Sequence, residues 1–158
     1  MNRSFAPGVS HNSSKAMINL LNARLADAID VRLAIKQAHW NIKGPNFIAL
    51  HELFDDVSGH FDDHVDTIAE RVVQLGGQAM GTTQAVASTT KMPQYPVEAT
   101  DQADHIKALT EMIGSFAKSV RAAIDEADNA SDADTADIFT QVSRAVDKDL
   151  WFIGSHEA

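Results

Sequence analysis

The chain has 158 residues, enough for one domain with a sizeable core. It contains no cysteine, which excludes a disulfide framework and thiolate metal sites. Its formal net charge of −9 argues against the body of the protein binding nucleic acid unaided, and no apolar run approaches the ~18 residues of a membrane span.

Residues 1–15, MNRSFAPGVSHNSSK, are expected to form a flexible N-terminal arm, because Pro7, Gly8 and a cluster of serines deny them a regular pattern. The arm carries Arg3 and Lys15 and no acid, so these two are the candidate DNA contacts. It lacks an apolar export segment, and the simplest reading is a cytoplasmic protein with no membrane partner. Residues 16–158 are expected to form one helical domain.

A first helix is predicted from about Ser14 to Lys43, capped by Ser13 or Ser14, with Met17, Leu20, Leu21, Leu25, Ala28, Ile35 and Ala38 on its apolar face. His39 falls near its end. The NIKGPN turn that follows lets the chain double back, so His39 can approach the start of the next helix. Lys36, one turn earlier, is expected either to pair with a carboxylate across an interface or to remain solvated.

The second helix is predicted from Pro45 to Leu75, with Pro45 suited to a first turn and Gly76-Gly77 to a stop. Leu53, Phe54, Val57, Phe61, Val65, Ile68, Val72 and Leu75 form its apolar stripe. Beside that stripe lie four potential metal ligands. At about 100° per residue, Asp55 sits about 40° from His51, Asp66 about 60° and Glu70 about 100°. His60 and His64 lie about 180° and 220° from His51, pointing away from these ligands, and a solvated or interface role is expected for them.

Residues 78–100 form a long connection, in which Thr82 to Ser88 can supply a short helix. A third helix is predicted from about Thr100 to Ala127, with Ile106, Leu109, Ile113, Phe116, Val120 and Ile124 on one stripe. A fourth is predicted from about Asp132 to Gly154, with Ile138, Val142, Val146, Leu150 and Ile153 inward and Ser131 and Asp134 as a capping box. Between them, DEADNASDADTAD holds six acids and no base. Asp132 and Asp134 suit the start of a helix. The remaining acids could focus cations at a pore mouth.

The candidate metal ligands are therefore His39, His51, Asp55, Asp66 and Glu70, and their geometry restricts what they can do. Asp55 and Asp66 are eleven positions apart, or about 16 Å along a helix at 1.5 Å per residue. Bonds from a metal to N or O are about 2 Å, so one straight helix cannot close a single site with all of its ligands. Two antiparallel copies across a two-fold axis can, giving two equal sites at a homodimer interface. Two imidazoles and three carboxylates without sulfur suit Fe(II) or Mn(II), and also accept Zn(II) or Co(II). A zinc-protease HExxH is absent, since Asp55 stands where its second histidine belongs, and no Glu-x-x-His of the four-helix di-iron type occurs.

The spacings of twelve, four, eleven and four between these five residues, inside AHWNIKGPNFIALHE and DTIAERVVQLGG, resemble the Dps mini-ferritins. The resemblance extends through GTTQ, TADIFT and SRAVDKDLWFI, and covers nearly everything after residue 16. It implies an all-α, ferritin-like four-helix bundle with a short helix in the long crossover, assembled as a hollow homo-dodecamer. It also implies ferroxidase sites at two-fold interfaces, where Fe(II) is oxidised, preferentially by hydrogen peroxide, and stored as ferric mineral. Trp40 is then a sacrificial reductant, and Asp128 and Asp137 are the favoured pore residues. Removing iron and peroxide together protects DNA without touching it. Two alternatives stay open at this point: a nucleoid-associated protein that condenses DNA directly, and a helical oligomer holding structural zinc.

Overall fold

Ser10 starts the first helix, its side chain accepting a hydrogen bond from the Ser13 amide. The computed structural model describes residues 3–157, so the first two residues of the expected arm lie outside it. Among the described residues the secondary structure is helical, apart from one isolated bridge between Lys43 and Asp101. The helices are α1 (His11–Asn41), α2 (Phe47–Gln74), α3 (Thr83–Thr89), α4 (Gln102–Asn129) and α5 (Ala133–Gly154). Helix α1 begins within the stretch expected to be an arm, because Ser10 supplies a cap earlier than Ser13 or Ser14. Lys15 therefore sits on α1. Arg3 lies over the Phe5 ring, 5.7 Å from its centroid, and the Phe5 amide bonds the Gln74 carbonyl at 2.7 Å. That contact ties the front of the chain to the end of α2.

Long-range contacts set the topology. The Lys43 amide donates to the Thr100 carbonyl, which places the start of α4 beside the α1–α2 turn. Arg71, near the end of α2, meets Asp132 at the start of α5. Helices α2 and α4 thus run in the same direction, and α1 and α5 run opposite to them. The connection from Leu75 to Asp101 must return the length of α2, whose 28 residues span about 42 Å at 1.5 Å each. Helix α3 lies in that crossover, capped by the Thr82 hydroxyl, which accepts from the Ala85 amide, and packs on α1. Its far end is held to α1 by the buried carboxylate of Asp27, which accepts from the Lys91 amide at 2.9 Å and pairs with Arg24.

The core draws on all four long helices: Phe54, Phe61, Phe116 and Phe139 are fully buried, with Leu21, Leu25, Ile35, Leu50, Ile68 and Leu109 around them. Each large apolar side chain contributes about 2–3 kcal/mol on leaving water. Phe139 carries more of the α5 core than the neighbouring Ile138, which is only half-buried. The expected cap at the start of α5 also differs. Ser131 adopts a left-handed backbone, φ 59°, to end α4, and Asp132 is the cap.

Asp132 does more than cap. Its Oδ1 accepts from the Thr135 amide and from Arg71 Nη2 at 2.7 Å, its Oδ2 accepts from the Thr135 hydroxyl at 2.6 Å, and Arg71 Nε donates to that hydroxyl at 3.0 Å. Arg71 and Asp132 are both buried, so the pair welds the end of α2 to the start of α5. Removing one partner strands a buried charge. Arg71→Met should lower the unfolding free energy by about 3–5 kcal/mol, read by urea denaturation.

His105 is fully buried and shares a 2.6 Å hydrogen bond with the Tyr95 hydroxyl. Burial pushes its pKa below 6.5, against the opposing influence of the Asn41 backbone and of Asp104 and Asp101. A histidine whose folded pKa is depressed stabilises the fold fully above its unfolded pKa and loses that contribution as pH falls below about 6.5. His105→Phe should cost about 1–3 kcal/mol at pH 7.5 through the stranded tyrosine. The gap from the parent should then narrow as pH falls through 6.5 towards 5, in thermal unfolding at each pH.

Candidate metal-binding half-sites

The turn between α1 and α2 brings His39 and His51 face to face, with ring centroids 3.8 Å apart and planes 20° off parallel. Each ring is locked by the other residue's backbone. His39 Nδ1 bonds the His51 carbonyl at 2.8 Å, and His51 Nδ1 bonds the His39 carbonyl at 2.8 Å. A carbonyl only accepts, so both Nδ1 atoms carry the proton. That tautomer leaves both Nε2 lone pairs free for a metal, and such outer hydrogen bonds are what orient ligating histidines.

Asp55 lies one helical turn beyond His51, with its Oδ1 4.0 Å from His39 Nε2. Lys36 Nζ bonds the same oxygen at 2.6 Å, and this hydrogen bond, as the largest influence, holds the Asp55 carboxyl below its ordinary range. The lysine thus pairs with a carboxylate of its own chain. A cation arriving at Asp55 would meet an anion already formed and a lysine it must displace or share with.

Around this end the surface is apolar where it should be polar on an isolated chain. Trp40 is 67% exposed, Ile48 61% and Phe47 43%. The Phe47 ring lies 5.2 Å from that of His51, and Lys36 sits 5.9 Å from the Trp40 ring. Phe47 escapes a search for ligand types, although an aromatic residue one turn before His51 is the signal that could have found it.

Asp66 and Glu70 are exposed on the same helix, towards its other end. Among the described residues, no group of three or more His, Asp or Glu side chains converges on one metal position. One chain therefore presents an imidazole-rich end and a carboxylate end on α2. Asp128 and Asp137 are exposed at the α4–α5 corner. Asp132, from the same acidic run, is taken up by Arg71.

Of the two histidines expected to be solvated or at an interface, His60 is exposed and His64 is not. His60 donates from Nδ1 to Asp149 Oδ1 at 2.9 Å, joining α2 to α5. His64 is buried rather than solvated, and burial, reinforced by His60, depresses its pKa to about 4.

No helix among the described residues is long and apolar enough to cross a membrane. The model of the ferritin-like domain matches residues 18–157. The chain is 54% identical to the DNA protection during starvation protein of Agrobacterium fabrum over 145 residues, 92% of this chain and 90% of the relative. Two solved structures agree in fold. DpsA14 from Streptomyces coelicolor aligns with a TM-score of 0.93 and 32% identity, covering 98% of this chain and 92% of the other. The Dps of Microbacterium arborescens in its high iron form aligns with a TM-score of 0.88 and 34% identity, covering 96% and 98%. The match along nearly the whole chain, with the bundle and its short crossover helix, places this protein in the Dps family of ferritin-like proteins.

Proposed function

We propose that this protein is an iron-oxidising, iron-storing mini-ferritin whose ferroxidase sites form between subunits. The observation that carries the reading is the separation of donors on α2. His39, His51 and Asp55 gather at one end, with Nε2 atoms oriented by reciprocal backbone bonds, while Asp66 and Glu70 stand exposed at the other. A two-fold partner running antiparallel supplies what each end lacks. The exposed Trp40, Phe47 and Ile48 suit burial in that contact. The high iron form of the Microbacterium arborescens Dps supports iron as the metal.

At such a site Fe(II) is substrate. The imidazoles hold the ferrous ion, and the hard carboxylates favour the ferric product. Hydrogen peroxide, the proposed oxidant, takes one electron from each of two Fe(II) ions; its O–O bond breaks and two hydroxides result. No hydroxyl radical is released, which protects DNA at a distance. Glu70 is suited to bridge two ions, and Trp40, adjacent to His39, to supply electrons to excess oxidant. Ferric product passes to a mineral core inside a cytoplasmic dodecamer, with Asp128 and Asp137 lining an entry pore.

Asp55→Ala and Glu70→Ala should each abolish rapid peroxide-driven oxidation in homogeneous assemblies, followed by ferric absorbance after anaerobic Fe(II) loading. Mixed assemblies of the two variants should recover part of the rate, because an interface between one chain of each kind keeps one intact site. No recovery in verified mixed shells would place the site within one subunit.

Direct DNA binding is the secondary reading. Arg3 is engaged with Phe5, Lys15 lies on α1, and the chain is strongly acidic. Any association should need low salt and pH below neutral, and should vanish at about 0.15 M salt, where the Debye length is about 8 Å. Gel shift with and without residues 1–9 measures it. A complex that is tight at pH 8 and indifferent to salt would contradict this ranking.

A further inference from the structure

Tyr95 and His105 form a pair that the half-sites on α2 do not use. Tyr95 is the only tyrosine in the chain, and it stands between Pro93 and Pro96, whose rings restrict the backbone of this part of the crossover. Its hydroxyl lies 2.6 Å from His105 Nδ1, and the two rings are 16° off parallel. His105 is fully buried and Tyr95 half-buried. The Asn41 backbone favours a proton on the His105 ring, as a carbonyl oxygen does, and Nδ1 is already turned to the phenol. The proton of the neutral imidazole therefore sits on Nε2, which is buried without a full hydrogen bond, and Nδ1 accepts from the Tyr95 hydroxyl. The pair stands against the last turn of α1. Asn41 is next to Trp40 and two residues after His39. Gln37, two residues before His39, donates from Nε2 at 3.2 Å to the carbonyl of Val97, two residues after Tyr95. The pair and its loop thus reach α1 on either side of His39.

We propose that Tyr95, with His105 as its proton acceptor, is a one-electron donor to the imidazole-rich half-site. Removing an electron from a phenol makes its O–H strongly acidic, so the loss is eased when a base within hydrogen-bond reach takes the proton in the same step. His105 meets that requirement. Burial keeps it uncharged beforehand, and Asp104 and Asp101 favour its charged form afterwards. The iron step rests on the function proposed above. Hydrogen peroxide needs two electrons, and a site holding a single Fe(II) supplies one. Tyr95 supplies the other. The O–O bond breaks to two hydroxides, Fe(II) becomes Fe(III), the phenolic proton moves to His105 Nδ1, and a neutral tyrosyl radical remains. No hydroxyl radical then leaves a site that is short of iron.

Electron paramagnetic resonance tests this on the assembled protein. Samples loaded anaerobically with Fe(II) at half the number of subunits, and frozen just after peroxide is added, should show a tyrosyl radical. Its signal should narrow with ring-deuterated tyrosine and be absent in Tyr95→Phe. His105→Gln, whose amide accepts a hydrogen bond but takes no proton, should lower the radical yield at least tenfold. If that variant fails to assemble, the parent in heavy water decides the proton step: the radical should form more slowly, and an unchanged rate would overturn the role of His105. Flash photo-oxidation of the iron-free protein, with a ruthenium trisbipyridyl complex and persulfate, reads the same pair without the iron site. No tyrosyl signal there overturns the proposal. A signal there but none with Fe(II) and peroxide overturns the donor role, and ferric absorbance in the same samples shows whether the ferroxidase reading stands or has failed with it.

Discussion

A straight α-helix keeps its residues apart. Eleven positions separate Asp55 from Asp66, and at 1.5 Å of rise per residue no side-chain rotamer closes that gap around one metal ion. This rigidity governs how the ligand residues can act. It divides the five candidate donors into two half-sets, and the proposed centre draws one half-set from each of two copies of the chain. The apolar surface around Trp40, Phe47 and Ile48 sits at the imidazole end of α2, where the proposed interface needs it.

Such a helix serves as a ruler only if it cannot bend or slide. Two polar fastenings oppose movement at its ends. At the start of α2, His39 and His51 clasp each other's carbonyls, which fixes the register of α2 against α1. At its far end, the buried Arg71–Asp132–Thr135 cluster ties α2 to α5. Between them the phenylalanine-rich core supplies the non-directional stabilisation. Hydrophobic burial accepts many arrangements, whereas buried hydrogen bonds accept few. The first accounts for why the bundle forms, and the second for where the candidate ligands stand.

The same helix carries different chemistry on its two sides. Near the turn, the His39 and His51 rings are stacked, locked and part-exposed. Across α2, His64 is buried and neutral, and His60 reaches Asp149 on α5. An imidazole is thus a candidate ligand, a connector or a buried unpaired base according to what the neighbouring helix places beside it.

Periodicity determined much of this protein from sequence alone. The apolar stripes placed four long helices to within a few residues, because a 3.6-residue repeat is a property of the local chain, and the length of the connection gave the short crossover helix. The spacing of His39, His51, Asp55, Asp66 and Glu70 was read from the same regularity, and from it the expectation that a complete site takes donors from two subunits. Only the tertiary structure decided the rest. It showed that Ser10 starts α1, that Asp132 rather than Ser131 caps α5, that Lys36 pairs with Asp55 within the chain, and that His64 is buried. The sequence specifies the angle at which a side chain leaves its own helix. Which group from another helix meets it depends on the rotation and axial offset of the packed pair. Those are set by summed core packing and by hydrogen bonds between residues far apart in sequence, such as the 61 positions between Arg71 and Asp132.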